Sequence, residues 1–308
     1  MKRPAFHFLT LLILILTSLD ALAQLSERKV DVYSEGVRMT GTVIHAQALE
    51  GKKLPALILS HGWGGTAVLL RPQAERFAQA GYFVLVFDYR GWGESDARWV
   101  RDESASGANA RRELREVVDP LDQSTDLFNA VHWAMGEPMV DANRVGLWGT
   151  SFSGGLVAYV AARDPRIKAI VSQVGAFGRP RASMTPEALS RAQSDATRRA
   201  RGEIGYPPPG AREIGNLRGG PVRESFLRYA PIADIASIKG CAILIIDAEK
   251  EELFDTREHG ELAFQRAAEP KKRVVIPGIS HYGIYGVARD QSIDLAIEWL
   301  DQYLKGAM

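Results

Sequence analysis

Ser151 and Ser153, in the stretch "VGLWGTSFSGGLVAYVAA" (residues 145–162), have the surroundings of a nucleophile. An apolar strand, "VGLWG", runs almost without linker into a helical pattern, and small residues stand two positions before and after each serine. A strained strand-to-helix turn that exposes a serine hydroxyl needs that spacing, because the two backbones nearly touch there. Ser151 has Gly149 and Ser153 as its small neighbours; Ser153 has Ser151 and Gly155. The strand decides between them. Ser151 follows it after one residue, whereas Ser153 falls in the first helical turn, where its hydroxyl is expected to cap the helix.

A serine hydroxyl is a poor nucleophile at neutral pH and needs a base oriented by a third group. Two histidines follow Ser151. His259 lies in a helical pattern (256–268) and reads as a surface or half-buried residue. His281 lies in "PGISHYGIY", a glycine-rich loop just after the strand "RVVIP", where a base can reach the serine. The strand before that, "CAILIID", runs into "AEKEELFD", which offers Glu249, Glu251, Glu252 and Asp255 as the orienting acid. An oxyanion needs two backbone N–H groups. Phe152, next after the nucleophile, supplies one; Trp63, in the loop "HGWGGT" (61–66) after the strand "PALILS", is expected to supply the other.

The elements that must position these residues alternate along the chain. "KVDVYSEGVRMTGTVIHA" reads as a β-hairpin about Glu35-Gly36. Short apolar strands then alternate with helices near 72–80, 121–135 and 290–305, the last burying Ile293, Ala296, Ile297, Leu300 and Leu304. A polar, arginine-rich stretch, 96–118, interrupts them. This pattern predicts an α/β fold: a mostly parallel, doubly wound sheet with helices on both faces. Residues 179–230 show no strand pattern and are expected to form a helical cap insertion. Ten arginines face five acids there, an excess suited to attracting anionic substrates.

A chain of 308 residues can bury a full core, and its net charge of +1 gives no bias toward nucleic acid. Cys241, the single cysteine, cannot form an internal disulfide and reads as a buried thiol. His45, His61 and His132 show no metal-ligand spacing, so no metal is expected. Asp88, Arg90 and Ser95, in "FDYRGWGES", read as loop-fixing residues; Trp92 and Trp99 either line an acyl pocket or pack. The first residues, "MKRPAFHFLTLLILILTSLDALAQ", have the basic start, apolar run and "ALA" site of a secretory signal peptide cut before Gln24. The expected organisation is a signal at 1–23 and one catalytic domain at 24–308, periplasmic or secreted, with no stable membrane insertion once the signal is removed.

"HGWGG", "FDYRGWGES", "GTSFSGG", "AEKEELF" and "GISHYGIY" stand in the order and spacing of the α/β-hydrolase superfamily. The chain resembles its dienelactone-hydrolase and X-Pro-dipeptidyl-peptidase-like branch over about residues 30–304. The resemblance implies a Ser-acid-His hydrolase without cofactor, its triad carried onto Ser151, Glu251 and His281. The family more often has aspartate where Glu251 stands. Chain geometry favours the same residue. Asp247 and Glu249 come too early, Glu252 points elsewhere, and Asp255 is expected to start the next helix in a capping box with Glu258. The implied activity is hydrolysis of carboxylic esters or related acyl compounds, with a small-molecule acyl substrate. A peptidase or acyl transferase using the same triad, and a non-catalytic binding protein of the same fold, are the rival readings.

Overall fold

Glu35 (φ 47°) and Gly36 (φ 79°) both take the left-handed conformation that a two-residue type I′ turn requires. They close the hairpin of β1 (Leu25–Ser34) and β2 (Val37–Ala46), in which Ser34 pairs with Val37. The computed structural model describes residues 24–107, 109–178 and 184–306. The expected signal peptide, 1–23, lies outside the described residues.

After the hairpin come β3 (Leu54–Ser60), α1 (Arg71–Gln79) and β4 (Phe83–Phe87). The polar stretch 96–118 contains β5 (Trp99–Arg101), β6 (Arg111–Glu113) and β7 (Val117–Val118), of which β5 and β6 pair antiparallel. Next are α2 (Pro120–Met135), β8 (Val140–Thr150), α3 (Phe152–Ala161) and β9 (Ile167–Gln173). Asp119 caps α2 by accepting from the Leu121 and Asp122 amides. The insertion carries α4 (Pro186–Ala200) and β10 (Gly220–Pro221). The chain ends with α5 (Pro231–Asp234), β11 (Ala242–Lys250), α6 (Gly260–Arg266), β12 (Lys271–Ser280) and α7 (Arg289–Leu300).

Eight strands form one sheet in the order β1-β2-β4-β3-β8-β9-β11-β12. β1, β2 and β4 pair antiparallel; from β4 to β12 every neighbouring pair is parallel. Each face buries a core. α2 and α3 cover one through Leu127, Val131, Leu156 and Val160. α1 and α7 cover the other through Phe77, Ile293, Ala296 and Leu300, joined by Leu304 from the turn that follows α7 (Asp301–Lys305). Parallel strands covered on both faces read as near-continuous apolar runs, and "LPALILS" in β3 is buried at every position.

The insertion is less helical than expected, because a strand, turns and a 3₁₀ turn (Arg223–Leu227) accompany α4. It is tied to the body by β10, which pairs parallel with β7, and by Ser225, whose hydroxyl donates to Asp119 Oδ2 at 2.9 Å. The arginine excess is partly neutralised locally: Arg199 pairs with Glu224, Arg201 with Glu203, Arg218 with Glu116, and Arg223 with Asp195 and Glu213.

Candidate active site

The site is built at the carboxyl ends of β3, β8, β11 and β12, where open parallel sheets present their loops. β8 ends at Thr150, and α3 begins at Phe152. Ser151, between them, has φ 55° and ψ −125°, a conformation that costs a non-glycine residue on the order of 1–3 kcal/mol. Its backbone is pinned on three sides: its N–H donates to Gln173 O (2.8 Å), and its carbonyl accepts from Gly154 N (2.9 Å) and Ala176 N (3.0 Å). A side chain at Gly149 would place Cβ 2.7 Å from the Ser153 carbonyl carbon, so strand and helix approach as closely as the small-residue spacing requires.

Ser153 does not cap α3. Its side chain is wholly buried beneath the turn, bonded to the Ser60 hydroxyl and accepting from the Tyr89 hydroxyl at 3.3 Å. The residue that occupies the usual second-glycine position thus fills a polar niche between β3 and the loop after β4.

His281 is the first residue after β12, and Glu251 the first after β11. β11 and β12 are adjacent, with a register shift between Ala248 and Lys250. The structure brings the predicted residues together: His281 Nε2 lies 3.0 Å from Ser151 Oγ, and His281 Nδ1 lies 2.7 Å from Glu251 Oε2. The His281 and Glu251 side chains are each 2% exposed. A proton on Nδ1 donated to Glu251 leaves Nε2 as the acceptor facing the serine. The edge of Phe254 packs on the imidazole at 5.7 Å.

The other acids fall elsewhere. Glu252, expected to point away, accepts from the His281 backbone N–H at 2.6 Å. Burial works against this carboxylate, but hydrogen bonds from the His281 and Glu252 backbones hold its pKa below the usual range. Glu249 accepts from Gly278 N at 2.7 Å. Asp255 starts no helix: residues 256–259 are turns, α6 begins at Gly260, and Asp255 is engaged by Arg257. His259, expected at the surface or half-buried within a helix, is instead buried at the head of α6, where its Nδ1 accepts from Phe177 N at 2.9 Å.

The loop after β3 lies against the serine. A Cβ on Gly62 would stand 2.8 Å from Ser151 Cβ and 2.9 Å from Thr150 O, so no other residue fits there without moving the loop. Among the described residues, no turn, loop or cap carbonyl engages the amides of Trp63 or Phe152. The Phe152 amide also sits at the N-terminus of α3, where the helix dipole favours negative charge. His61 holds the loop from below, its Nδ1 3.1 Å from Gly62 O and its ring edge-on to Tyr89; burial lowers its pKa. Asp88 fixes the neighbouring turns, accepting from Ala67 N (2.7 Å) and Glu94 N (3.2 Å), and Ser95 donates to Asp88 O at 2.7 Å. Arg90 is buried against Asp126 and Glu35. Trp92 is core, Trp99 is exposed, and neither lines the cavities below.

Sequence reasoning passed over Tyr285 and Thr150. Tyr285 follows His281 by four residues; its hydroxyl lies 2.8 Å from Thr150 Oγ1, which accepts from Gln173 Nε2 at 3.2 Å. Burial pushes the Tyr285 phenol up to about 12. With Gly62, Leu253 and Tyr282 it walls a chamber of about 370 Å³ that contains Ser151 and His281. A second, apolar cavity of about 580 Å³ lies under α4. The arrangement can deprotonate a serine, stabilise the resulting imidazolium and offer two amides to an oxyanion.

Residues 55–205 match the family model described as alpha/beta hydrolase fold. Among curated relatives, the quorum-quenching protein AidA of Acinetobacter baumannii is 38% identical over 39% of this chain and 34% of its own length. The thiohydrolase aneE of Aspergillus aculeatus is 32% identical over 45% of this chain and 38% of its own. The chain thus matches less than half the length of either. Two solved structures share the fold over nearly their whole length, each 22% identical or less. A hypothetical protein from Pseudomonas aeruginosa superposes with a TM-score of 0.72 (22% identity, 93% of this chain, 97% of that one). A dienelactone hydrolase from Anabaena variabilis does so with 0.58 (21% identity, 91% and 99%).

Proposed function

We propose that this chain, whose residues 55–205 match the alpha/beta hydrolase fold family, is a serine hydrolase of carboxylic esters or related acyl compounds. One observation carries the reading: an unbroken chain from Ser151 Oγ through the His281 imidazole to Glu251, in contacts of 3.0 and 2.7 Å, attached to a serine held at φ 55°.

In this reading Ser151 Oγ attacks the acyl carbonyl carbon while His281 Nε2 takes its proton. The carbonyl oxygen becomes an oxyanion held by the Trp63 and Phe152 amides. Glu251 stabilises the imidazolium, which then protonates the departing alcohol or thiol. Water, deprotonated by the same nitrogen, attacks the acyl-serine and releases the acid. Thioesters fall within the same chemistry, and one relative carries the name thiohydrolase.

The test is a panel of p-nitrophenyl esters, acyl thioesters and aminoacyl anilides, each run on the protein and on Ser151→Ala. Turnover of esters or thioesters that Ser151→Ala loses supports the reading; turnover of anilides alone makes the protein a peptidase, and turnover that survives in Ser151→Ala removes the reading. The reading also includes export, with residues 1–23 cleaved. Intact-mass analysis of protein from the periplasmic fraction is expected to show Gln24 as the first residue.

A further inference from the structure

Trp63 is the one described residue that lines both the 370 Å³ chamber of Ser151 and the 580 Å³ cavity under α4. Its indole N–H donates to Gly219 O of the insertion at 3.1 Å, and its ring meets Phe152 edge-on at 5.4 Å and stacks on Phe226 at 6.3 Å. The cavity beyond that ring is floored by Trp63, Phe226 and Tyr229 and roofed by Ala188 and Ala192 of α4. Both volumes fall within the roughly 300–1,000 Å³ typical of small-molecule sites.

We propose that this cavity is the acyl-chain site of the enzyme, taking an unbranched apolar acyl group of medium length. The proposal rests on the serine-hydrolase reading for its direction. The leaving group must receive its proton from His281, so it lies on the His281 side of the chamber, beside Leu253 and Tyr282. The acyl group then extends to the opposite side, along Trp63, whose own amide holds the acyl oxygen. The rings of Trp63, Phe226 and Tyr229 and the methyl groups of Ala188 and Ala192 offer methylenes an apolar surface. Of the charged residues that line it, Glu187 and Arg191 are on the exposed face of α4, and Arg223 is paired with Asp195 and Glu213.

The test uses p-nitrophenyl acetate and octanoate with the full-length protein, Ala188→Phe and Ala192→Leu. Ala188 is exposed, so a phenylalanine there narrows the cavity without entering the core; Ala192 is buried and serves as the second variant. Each methylene that leaves water should raise kcat/KM by about fourfold, the rate equivalent of about 0.8 kcal/mol. The expected result is a strong octanoate preference over acetate in the parent that Ala188→Phe flattens. An octanoate-to-acetate ratio that neither variant alters overturns the proposal. Calorimetric binding of octanoate to Ser151→Ala separates the two readings. Octanoate binding that Ala188→Phe abolishes, in a protein that turns over no ester, keeps the cavity and removes the hydrolase reading. Ester turnover with no effect of Ala188→Phe on binding or ratio does the reverse.

Discussion

Replacing Glu251 by glutamine keeps the side chain's length and removes its charge from a pair that is 2.7 Å apart and almost fully buried. Two losses follow. A glutamine that turns its NH₂ toward Nδ1 selects the tautomer with the proton on Nε2, which cannot accept the serine proton. A glutamine that turns its oxygen keeps the tautomer but no longer stabilises the imidazolium in the transition state. At an effective dielectric near 20, opposite charges about 4 Å apart gain about 4 kcal/mol. That is about 10³-fold in rate, between a floor of about 10² and the roughly 10⁴ that loss of a triad acid can reach. Glu252→Gln is the control, since its amide oxygen can still accept from the His281 backbone. Its kcat should stay near wild type. The assay is steady-state turnover of p-nitrophenyl acetate beside circular dichroism on each variant. Near-normal kcat in Glu251→Gln with a crippled Glu252→Gln refutes the assignment of the acid.

Other substitutions separate chemistry from stability. Ser153→Ala should keep most activity but lower unfolding free energy by about 1–3 kcal/mol, because it strips a partner from the buried Ser60 and Tyr89 hydroxyls; urea titration beside ester turnover checks both. Gly62→Ala must push the Trp63 amide away from Ser151 and should cut kcat by about 10²–10³, with the fold intact by circular dichroism. Burial, with the nearby Asp119 charge, raises the Asp122 pKa from 3.8 to about 6, against the pull of Arg98 and Arg90. The folded state therefore binds this proton more tightly than the unfolded chain, so stability is lost as pH rises from about 4 to 6 and is flat above. Asp122→Asn should remove that fall, at most about 3 kcal/mol, in urea midpoints measured at pH 4, 5, 6 and 7.

The long parallel strands and the serine turn were legible because each is written in local terms: a fully apolar run, or small residues at fixed spacing about one serine. That His281 and Glu251 come together beside Ser151 was legible from loop position, since both directly follow adjacent strands. Features set by tertiary partners were not. Ser153 reads as a cap by position, yet it faces Ser60 and Tyr89, 93 and 64 residues away in sequence. The hairpin of β5 and β6 is three residues per strand and mostly polar, so no alternation marks it. "DTRE" has the letters of a capping box, but Arg257 engages Asp255, and His259 is drawn inward by Phe177 N. The role of Trp63 as a shared wall depends on a carbonyl 156 residues later.

Ser151 is the proposed nucleophile. Treating the folded protein with a fluorophosphonate probe and mapping the adduct by peptide mass spectrometry tests it most directly. One adduct is expected, on Ser151, absent from Ser151→Ala and from His281→Ala and undiminished in Ser153→Ala. An adduct on Ser153, or a folded protein that hydrolyses esters while Ser151 stays unlabelled, contradicts it.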